Sequence, residues 1–200
     1  MFKDKVLLIT GGTGSFGSTL LRKFANSDLK EIRVFSRDEK KQEDLRIELK
    51  NDKINFIIGD VRDFHSINTA MEGVDYVFNA AALKQVPSCE FYPMQAIQTN
   101  ILGSENVLEA AVHNRVKRVV VLSTDKAVYP INTMGMTKSL MEKLCINKAR
   151  MPQAQLAQDT NRQVQGKSQA FSAVPVMVTS CVREVRSFPC SSVRLKAGNH

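Results

Sequence analysis

The feature that most constrains this chain is its opening run, Val6-Leu7-Leu8-Ile9-Thr10-Gly11-Gly12-Thr13-Gly14-Ser15-Phe16-Gly17. An unbroken stretch of branched apolar residues suits a strand buried on both faces, and the glycines that follow let the backbone turn sharply and come close to a bound group. Leu20, Leu21 and Phe24 then recur at helical spacing, so the segment reads as strand, tight turn, helix. A helix N-terminus aims unpaired N–H groups at an anion, and in this setting the usual anion is a pyrophosphate. The spacing Gly11-x-x-Gly14-x-x-Gly17 is a variant of the dinucleotide fingerprint, with Thr13, Ser15 and Phe16 in the turn as further cofactor contacts. A phosphate-binding Walker loop is excluded because Ser18, not lysine, follows Gly17.

Strand and helix alternate from there. Glu31–Phe35 reads as a second strand and Lys40–Leu49 as a helix. Ile54–Val61 is a third strand with Asp60 and Val61 at its end, placed to meet an adenine, and Ser66–Met71 is helical. Val74–Phe78 is a fourth strand running into Asn79-Ala80-Ala81-Ala82-Leu83-Lys84, where small side chains let a flat ligand approach. Asn100–Asn114 is a helix, Lys117–Leu122 a fifth strand ending in Ser123-Thr124-Asp125-Lys126, and Met134 to about Arg150 a further helix. This alternation calls for an α/β fold, a doubly wound parallel sheet of Rossmann type with its ligand at the carboxyl ends of the strands. At the end of the second strand an acid would bind the ribose 2′-hydroxyl of NAD and an arginine the 2′-phosphate of NADP. Ser36 and Arg37 stand there, with Lys40 beyond, so NADP is favoured and NAD is the other candidate.

Bulk properties narrow the rest. Lysine and arginine give a net charge of +8 but are interspersed with acids, with no basic block, so no nucleic-acid partner is expected. No run is long enough for a membrane span or a signal-peptide core, and a cytoplasmic protein is expected. Cys89, Cys145, Cys181 and Cys190 form no C-x-x-C pair, and His65, His113 and His200 are scattered, so neither a disulfide framework nor a metal site is expected.

Four ordered motifs resemble the bacterial UDP-N-acetylglucosamine 4,6-dehydratases, in particular the inverting, CapD-like branch that is sometimes labelled UDP-glucose 4-epimerase. They are Thr10–Gly17, Phe35–Gln42, Ala80–Pro87 and Ser123–Ala127, and the likeness runs over residues 1–150. The resemblance implies an NADP-dependent oxidation at the sugar C4, loss of water across C5–C6 with inversion at C5, and return of the hydride to C6. It also implies a role in capsule or O-antigen synthesis and a homo-oligomer. By that resemblance Asp125 and Lys126 match the acid and the C5 base, Lys84 an active-site lysine, and Lys138 the lysine that holds the nicotinamide ribose. Thr124 joins the catalytic group, and Asn100 the cofactor contacts. Met134 stands where most short-chain dehydrogenases carry tyrosine; a thioether takes no proton, so the base for the C4 hydroxyl stays open among Lys126, Lys138 acting through Thr124, and Tyr129. The competing readings are a UDP-glucose or UDP-GlcNAc 4-epimerase, a non-catalytic NADP-binding module, and a truncated gene product without function.

Beyond Arg150 the character changes. Residues 152–173 show no period, and 174–194 resemble no strand–helix unit. Where the family continues Arg-Tyr-Gly-Asn-Val-Met, this chain has Val176-Met177-Val178-Thr179-Ser180-Cys181. Back-translated and read one base earlier, these codons become NGT-NAT-GGT-NAC-NTC-NTG, compatible with the family segment at every codon. The agreement continues through Ser192, and family-like sequence returns at Leu195-Lys196-Ala197-Gly198-Asn199. The expectation is therefore a cofactor domain over 1–150, an out-of-frame tail over 151–194, and a remnant over 195–200 leading into a missing substrate domain. A chain of this literal sequence is expected to expose a sheet edge and to be inactive.

Overall fold

The computed structural model describes residues 2–150 and 172–177. Six parallel strands form one sheet in the order β3-β2-β1-β4-β5-β6. The strands are β1 Val6–Thr10, β2 Glu31–Ser36, β3 Ile54–Ile58, β4 Tyr76–Asn79, β5 Arg118–Ser123 and β6 Ser172–Met177. The order reverses between β1 and β4, which opens a crevice beyond their carboxyl ends. The helices are α1 Ser15–Phe24, α2 Glu39–Leu49, α3 Phe64–Ala70, α4 Val86–Phe91, α5 Pro93–Ala96, α6 Gly103–His113 and α7 Thr133–Arg150.

Two-sided burial of β1 sets the layers. Leu7 and Ile9 pack with Leu20 and Leu21 of α1 and Leu45 of α2 on one face. Val6 and Leu8 pack with Ile67 of α3, Val107 and Leu108 of α6, and Met141 and Cys145 of α7 on the other. Every residue of β1 is buried, which is why its sequence is continuously apolar rather than alternating.

Several boundaries differ from the sequence reading. The third strand ends at Ile58, so Asp60 and Val61 lie in the loop after it. The helix read from Asn100 begins earlier, as α5, passes through a π-helical turn Ile97–Leu102 and continues as α6. Gly103 ends the wide turn at a tight spot: an added Cβ would meet Val61 Cγ2 at 2.8 Å. Helix α4 follows Lys84-Gln85 with Pro87 in its first turn, where a missing N–H is harmless. The largest correction concerns the tail. Residues 172–177 form β6, paired in parallel with β5 from Arg118↔Ser172 to Ser123↔Met177. A stretch read as resembling no strand–helix unit thus supplies a strand, and among the described residues the sheet edge passes from β5 to β6. A valine-containing stretch satisfies a ladder through its backbone whatever its origin, and Pro175, which cannot donate, sits in an edge strand where that is tolerated. The rest of the tail, 151–171 and 178–200, lies outside the described residues, and with it most of the segment read as out of frame. No helix among the described residues is long and apolar enough to cross a membrane.

Candidate active site

A cleft of about 610 Å³ runs along the carboxyl ends of β1, β2, β4 and β5. Its floor is the glycine turn. Gly11 has φ +62°, and a Cβ there would stand 2.7 Å from Ala81 N and 2.8 Å from the Ala80 carbonyl. The turn therefore presses against the backbone after β4, where only glycine meets both demands. At Gly17 a Cβ would come within 2.5 Å of Gly11 O, so this glycine lets α1 start directly on the turn. Gly14 is the N-cap of α1 and makes no side-chain cap bond. The first N–H groups of the helix are left to face the cleft, the arrangement that receives a pyrophosphate.

Buried polar bonds hold the two strand ends in register. Thr10 Oγ1 donates to Asn79 Oδ1 at 2.6 Å, Asn79 Nδ2 donates to Ser104 Oγ at 3.2 Å, and Ala81 N donates to Thr10 Oγ1 at 3.3 Å. Ala80, Ala81 and Ala82 line the cleft on this side, with Lys84 beyond them.

At the β2 end, Ser36 Oγ accepts from Thr13 Oγ1 at 3.2 Å and from Gln42 Nε2 at 3.0 Å. Arg37 is half-exposed, with Nη1 3.5 Å from Asp60 Oδ2. Asp38 caps α2 by accepting from Lys41 N at 3.0 Å and pairs with Lys41 Nζ at 2.8 Å; the Lys41 bonds hold its carboxyl below the usual range. Asp60 accepts from Arg62 N, Nε and Nη2. Partial burial works against its ionised form, but the Arg62 bonds prevail and its pKa is lowered. Lys40 is not part of the cleft wall: it points along α2 and pairs with Asp44 at 2.8 Å, while Lys41, one residue on, lines the cleft.

At the other end stand the residues after β5. Ser123, Thr124 and Lys126 line the cleft, whereas Asp125 does not. Asp125 starts a short 3₁₀ turn, Asp125–Ala127; its Oδ1 accepts from Thr124 Oγ1 at 2.8 Å and lies 3.6 Å from Lys126 Nζ. The Thr124 hydroxyl, with Lys126 behind it, holds this carboxyl below its ordinary pKa. Tyr129 is 81% exposed and outside the cleft lining.

Lys138 comes from the first part of α7 and is 7% exposed. Its ammonium donates to Leu122 O at 2.8 Å, and burial drives its pKa down to about 8 against the opposing pull of Glu142. Met134 also borders the cleft, but it is packed with Cys89, Ala96, Leu83 and Val86. Asn100 is fully buried and does not line the cleft. It accepts from Leu83 N at 2.8 Å and donates to Leu83 O and Thr137 Oγ1, each at 3.0 Å. It thus clamps the loop before Lys84 to the turn before Lys138, supporting the site from behind, and its neighbour Thr99 reaches the cleft instead. Sequence reasoning passed over Thr99, Lys41 and Ser123. Ser123 had a signal as the last residue of β5, and Lys41 needed only the helix register. Thr99 had none, because the π-helical turn shifts the face that α5–α6 presents.

A family model described as polysaccharide biosynthesis protein matches residues 7–166. A UDP-glucose 4-epimerase of Rickettsia prowazekii (strain Madrid E) is 69% identical over 155 residues, an alignment covering 76% of this chain and 46% of that protein. The crystal structure of Pen from Bacillus thuringiensis is 37% identical with a TM-score of 0.79, covering 88% of this chain and 50% of the other. DesIV, a dTDP-glucose 4,6-dehydratase from Streptomyces venezuelae solved with NAD and TYD bound, shares the fold at 24% identity and a TM-score of 0.68, over 73% of this chain and 52% of its own. The chain thus spans about half the length of the relatives it resembles. With the match running from β1 to beyond α7, and the glycine turn, strand ends and α7 lysine gathered on one cleft, the chain belongs to the polysaccharide biosynthesis protein family.

Proposed function

We propose that this chain supplies the cofactor-binding and acid–base half of an enzyme that dehydrates UDP-N-acetylglucosamine across C5–C6 with inversion at C5, using NADP. The observation that carries the reading is the Thr124-Asp125-Lys126 turn set beside Lys138 at the end of the cleft that begins with the glycine turn. A dehydration needs an acid for the departing C6 hydroxyl next to a base for the C5 proton, and adjacent Asp125 and Lys126 supply both groups.

The residues present fit a nicotinamide dinucleotide: the α1 N–H groups face the cleft, and Gly11 and Gly17 let the turn close tightly on the backbone after β4 and on the start of α1, the shape a pyrophosphate-binding turn requires. When bound, that cofactor supplies a hydride acceptor at C4 and later a hydride donor at C6. Support for NADP lies at the β2 end. Asp38, the acid that would otherwise read a ribose 2′-hydroxyl, is engaged as cap and partner of Lys41, whereas Arg37 has only a long contact to Asp60 and is free to swing onto a 2′-phosphate. NAD is the other cofactor to be tested.

The protein's own part can be followed proton by proton. Lys138, held on the Leu122 carbonyl, orients a ribose hydroxyl and lowers the pKa of hydroxyls near it by its charge. Met134 neither takes nor gives a proton. Of the candidates for the C4 hydroxyl proton, Lys126 and the Thr124 route to Lys138 line the cleft, and Tyr129 does not. Asp125 stands outside the cleft lining but is bonded to Thr124, which lines it; a sugar extending over that turn would strip the carboxylate's water and raise its pKa, preparing it to protonate the leaving hydroxyl.

A second reading, UDP-glucose 4-epimerisation, is favoured by the name of the 69%-identical relative. The two separate by mass. The whole gene product incubated with UDP-GlcNAc and NADP yields a product lighter by one water if it is a dehydratase. Unchanged mass with inverted C4 supports the epimerase, and no conversion of either UDP-sugar with no nucleotide binding overturns both. The division at Arg150 and the out-of-frame reading of 151–194 belong to the same proposal. Sequencing the genomic DNA over codons 150–200 and onward tests them: compensating single-base corrections with a frame open beyond His200 make this an ordinary full-length dehydratase, whereas an unchanged sequence with a stop after His200 leaves the motifs as relics of a decayed gene. A homo-oligomer is proposed by resemblance, to be read by light scattering.

A further inference from the structure

The buried lysine of α7 has a neighbour that the sequence reading left unused. Glu142 lies one helical turn beyond Lys138, at the i, i+4 spacing that places two side chains on one face. Both reach the tip of β5. Lys138 Nζ donates to the carbonyl of Leu122 at 2.8 Å, and the next residue, Ser123, donates its hydroxyl to Glu142 Oε1. Ser123 is buried and borders the cleft, and the chain runs from it directly into Thr124, Asp125 and Lys126. Two adjacent residues of one strand are thus tied to two residues of one helix face, the first through a cation and the second through an anion.

We propose that Glu142 is a positioning residue for Lys138, pinning α7 to the β5 tip through Ser123 and setting a negative charge one helical turn from the buried ammonium. The inference rests on the cofactor-binding reading given above only for its importance to turnover; the electrostatic relation belongs to the folded chain itself. Lys138 needs such a partner. It is 7% exposed, among the described residues its hydrogen-bond contacts are a carbonyl and, at 3.6 Å, the Met141 thioether, and neither carries a formal charge. Burial lowers its pKa to about 8, and Glu142 is the charge that opposes this.

Among the described residues, the other charged groups on elements packed against α7 are committed elsewhere or carry the wrong sign. Glu105 and Glu109 of α6 pair with Lys148, two turns further on. Glu90 of α4 accepts from Thr133 N. Asp125 is held by Thr124 and Lys126. Lys84 and Lys126 line the same cleft and repel a second cation. Residues 172–177 include no ionisable side chain. Cys145, one turn past Glu142, is fully buried, and burial together with Glu142 pushes its thiol up to about 12, so it stays neutral.

The test uses the whole protein labelled with [¹³C]lysine and follows lysine Cε shifts against pH without cofactor, Lys138→Met identifying the resonance. In Glu142→Gln the amide oxygen still accepts from Ser123, but the charge is gone, and the Lys138 midpoint should fall by about one pH unit. Ser123→Ala keeps the charge and should leave the midpoint nearly in place while lowering kcat. An unmoved midpoint in Glu142→Gln overturns the proposal, as does an equal fall in Ser123→Ala, which would make the effect general loosening. A shifted midpoint in a protein that turns over no UDP-sugar would uphold this inference and sink the proposed function; normal turnover with an unmoved midpoint would do the reverse.

Discussion

Replacing Gly135 with alanine adds one methyl group at the place where the first turn of α7 crosses the acid–base loop. The new Cβ would stand 2.4 Å from Lys126 O, 3.2 Å from Lys126 C and 3.3 Å from Pro130 Cα. Ordinary van der Waals contact begins at 3.4 Å, so the Lys126 carbonyl must retreat by about 1 Å. All three contacts are backbone, so no side-chain rotation relieves them. The Asp125–Ala127 turn moves as a unit because Ala127 N and Val128 N donate to Thr124 O and Asp125 O. A displacement of that size at reacting groups costs roughly 100-fold in rate, and overpacking of this kind costs about 1–3 kcal/mol of stability. The atoms nearest the new Cβ belong to Lys126 and Pro130, none of them to the glycine turn or the β2 end. Steady-state kinetics of the full-length Gly135→Ala protein on UDP-GlcNAc, paired with NADP titration by fluorescence, should therefore show kcat reduced about 100-fold with NADP affinity within roughly twofold of wild type. Wild-type kcat in a stably folded variant would refute the placement of Asp125 and Lys126 against α7. A parallel loss of NADP affinity would refute the separation of the two ends.

Three further outcomes follow from particular contacts. Gly17→Ala, whose methyl would meet Gly11 O and Gly12 Cα at 2.5 Å, should cost about 3 kcal/mol in urea denaturation and abolish dinucleotide binding. Arg37→Ala should weaken NADP about tenfold, near 1.4 kcal/mol, while leaving NAD unchanged, as read by calorimetry; equal losses for both would exclude a 2′-phosphate role. Lys138→Met should raise stability at neutral pH at the expense of activity. Because the folded-state pKa is about 8 rather than 10.5, the folded chain gives up this proton first, and the residue's penalty is fully present below pH 8 and disappears as pH rises toward 10.5. The variant's advantage, roughly 1–3 kcal/mol at pH 7, should shrink across that window in urea midpoints; a constant difference would contradict the burial of a charged lysine.

How much of this was open to reading without a structure depended on the range of the forces involved. Val6–Ile9 could be assigned to a doubly buried strand because a continuous apolar run has few other uses, and the glycines because backbone demands at Gly11 and Gly17 are local. The alternation of elements then dictated a parallel sheet, and chirality its crossovers. Element ends were less legible: Asp60 was read inside a strand that stops at Ile58, and α4 and the π-helical turn were missed.

Sequence alone thus determined the fold class, the glycine turn, and the placing of Ala80–Ala82, Thr124 and Lys126 at strand ends, since each follows from a short-range pattern plus one topological rule; Lys138 of α7 came only from the family resemblance. Tertiary structure decided which neighbours of those residues do the work. It turned Lys40 toward Asp44 and Lys41 into the cleft, buried Asn100 as a clamp between Leu83 and Thr137, set Met134 among Cys89 and Ala96, and paired residues 172–177 with β5. It also brought Glu142 to Ser123 across 19 positions of sequence. Those choices turn on helix phase and on contacts between segments far apart in the chain, whose energies depend on distances of a few tenths of an ångström and are written in no local run of residues.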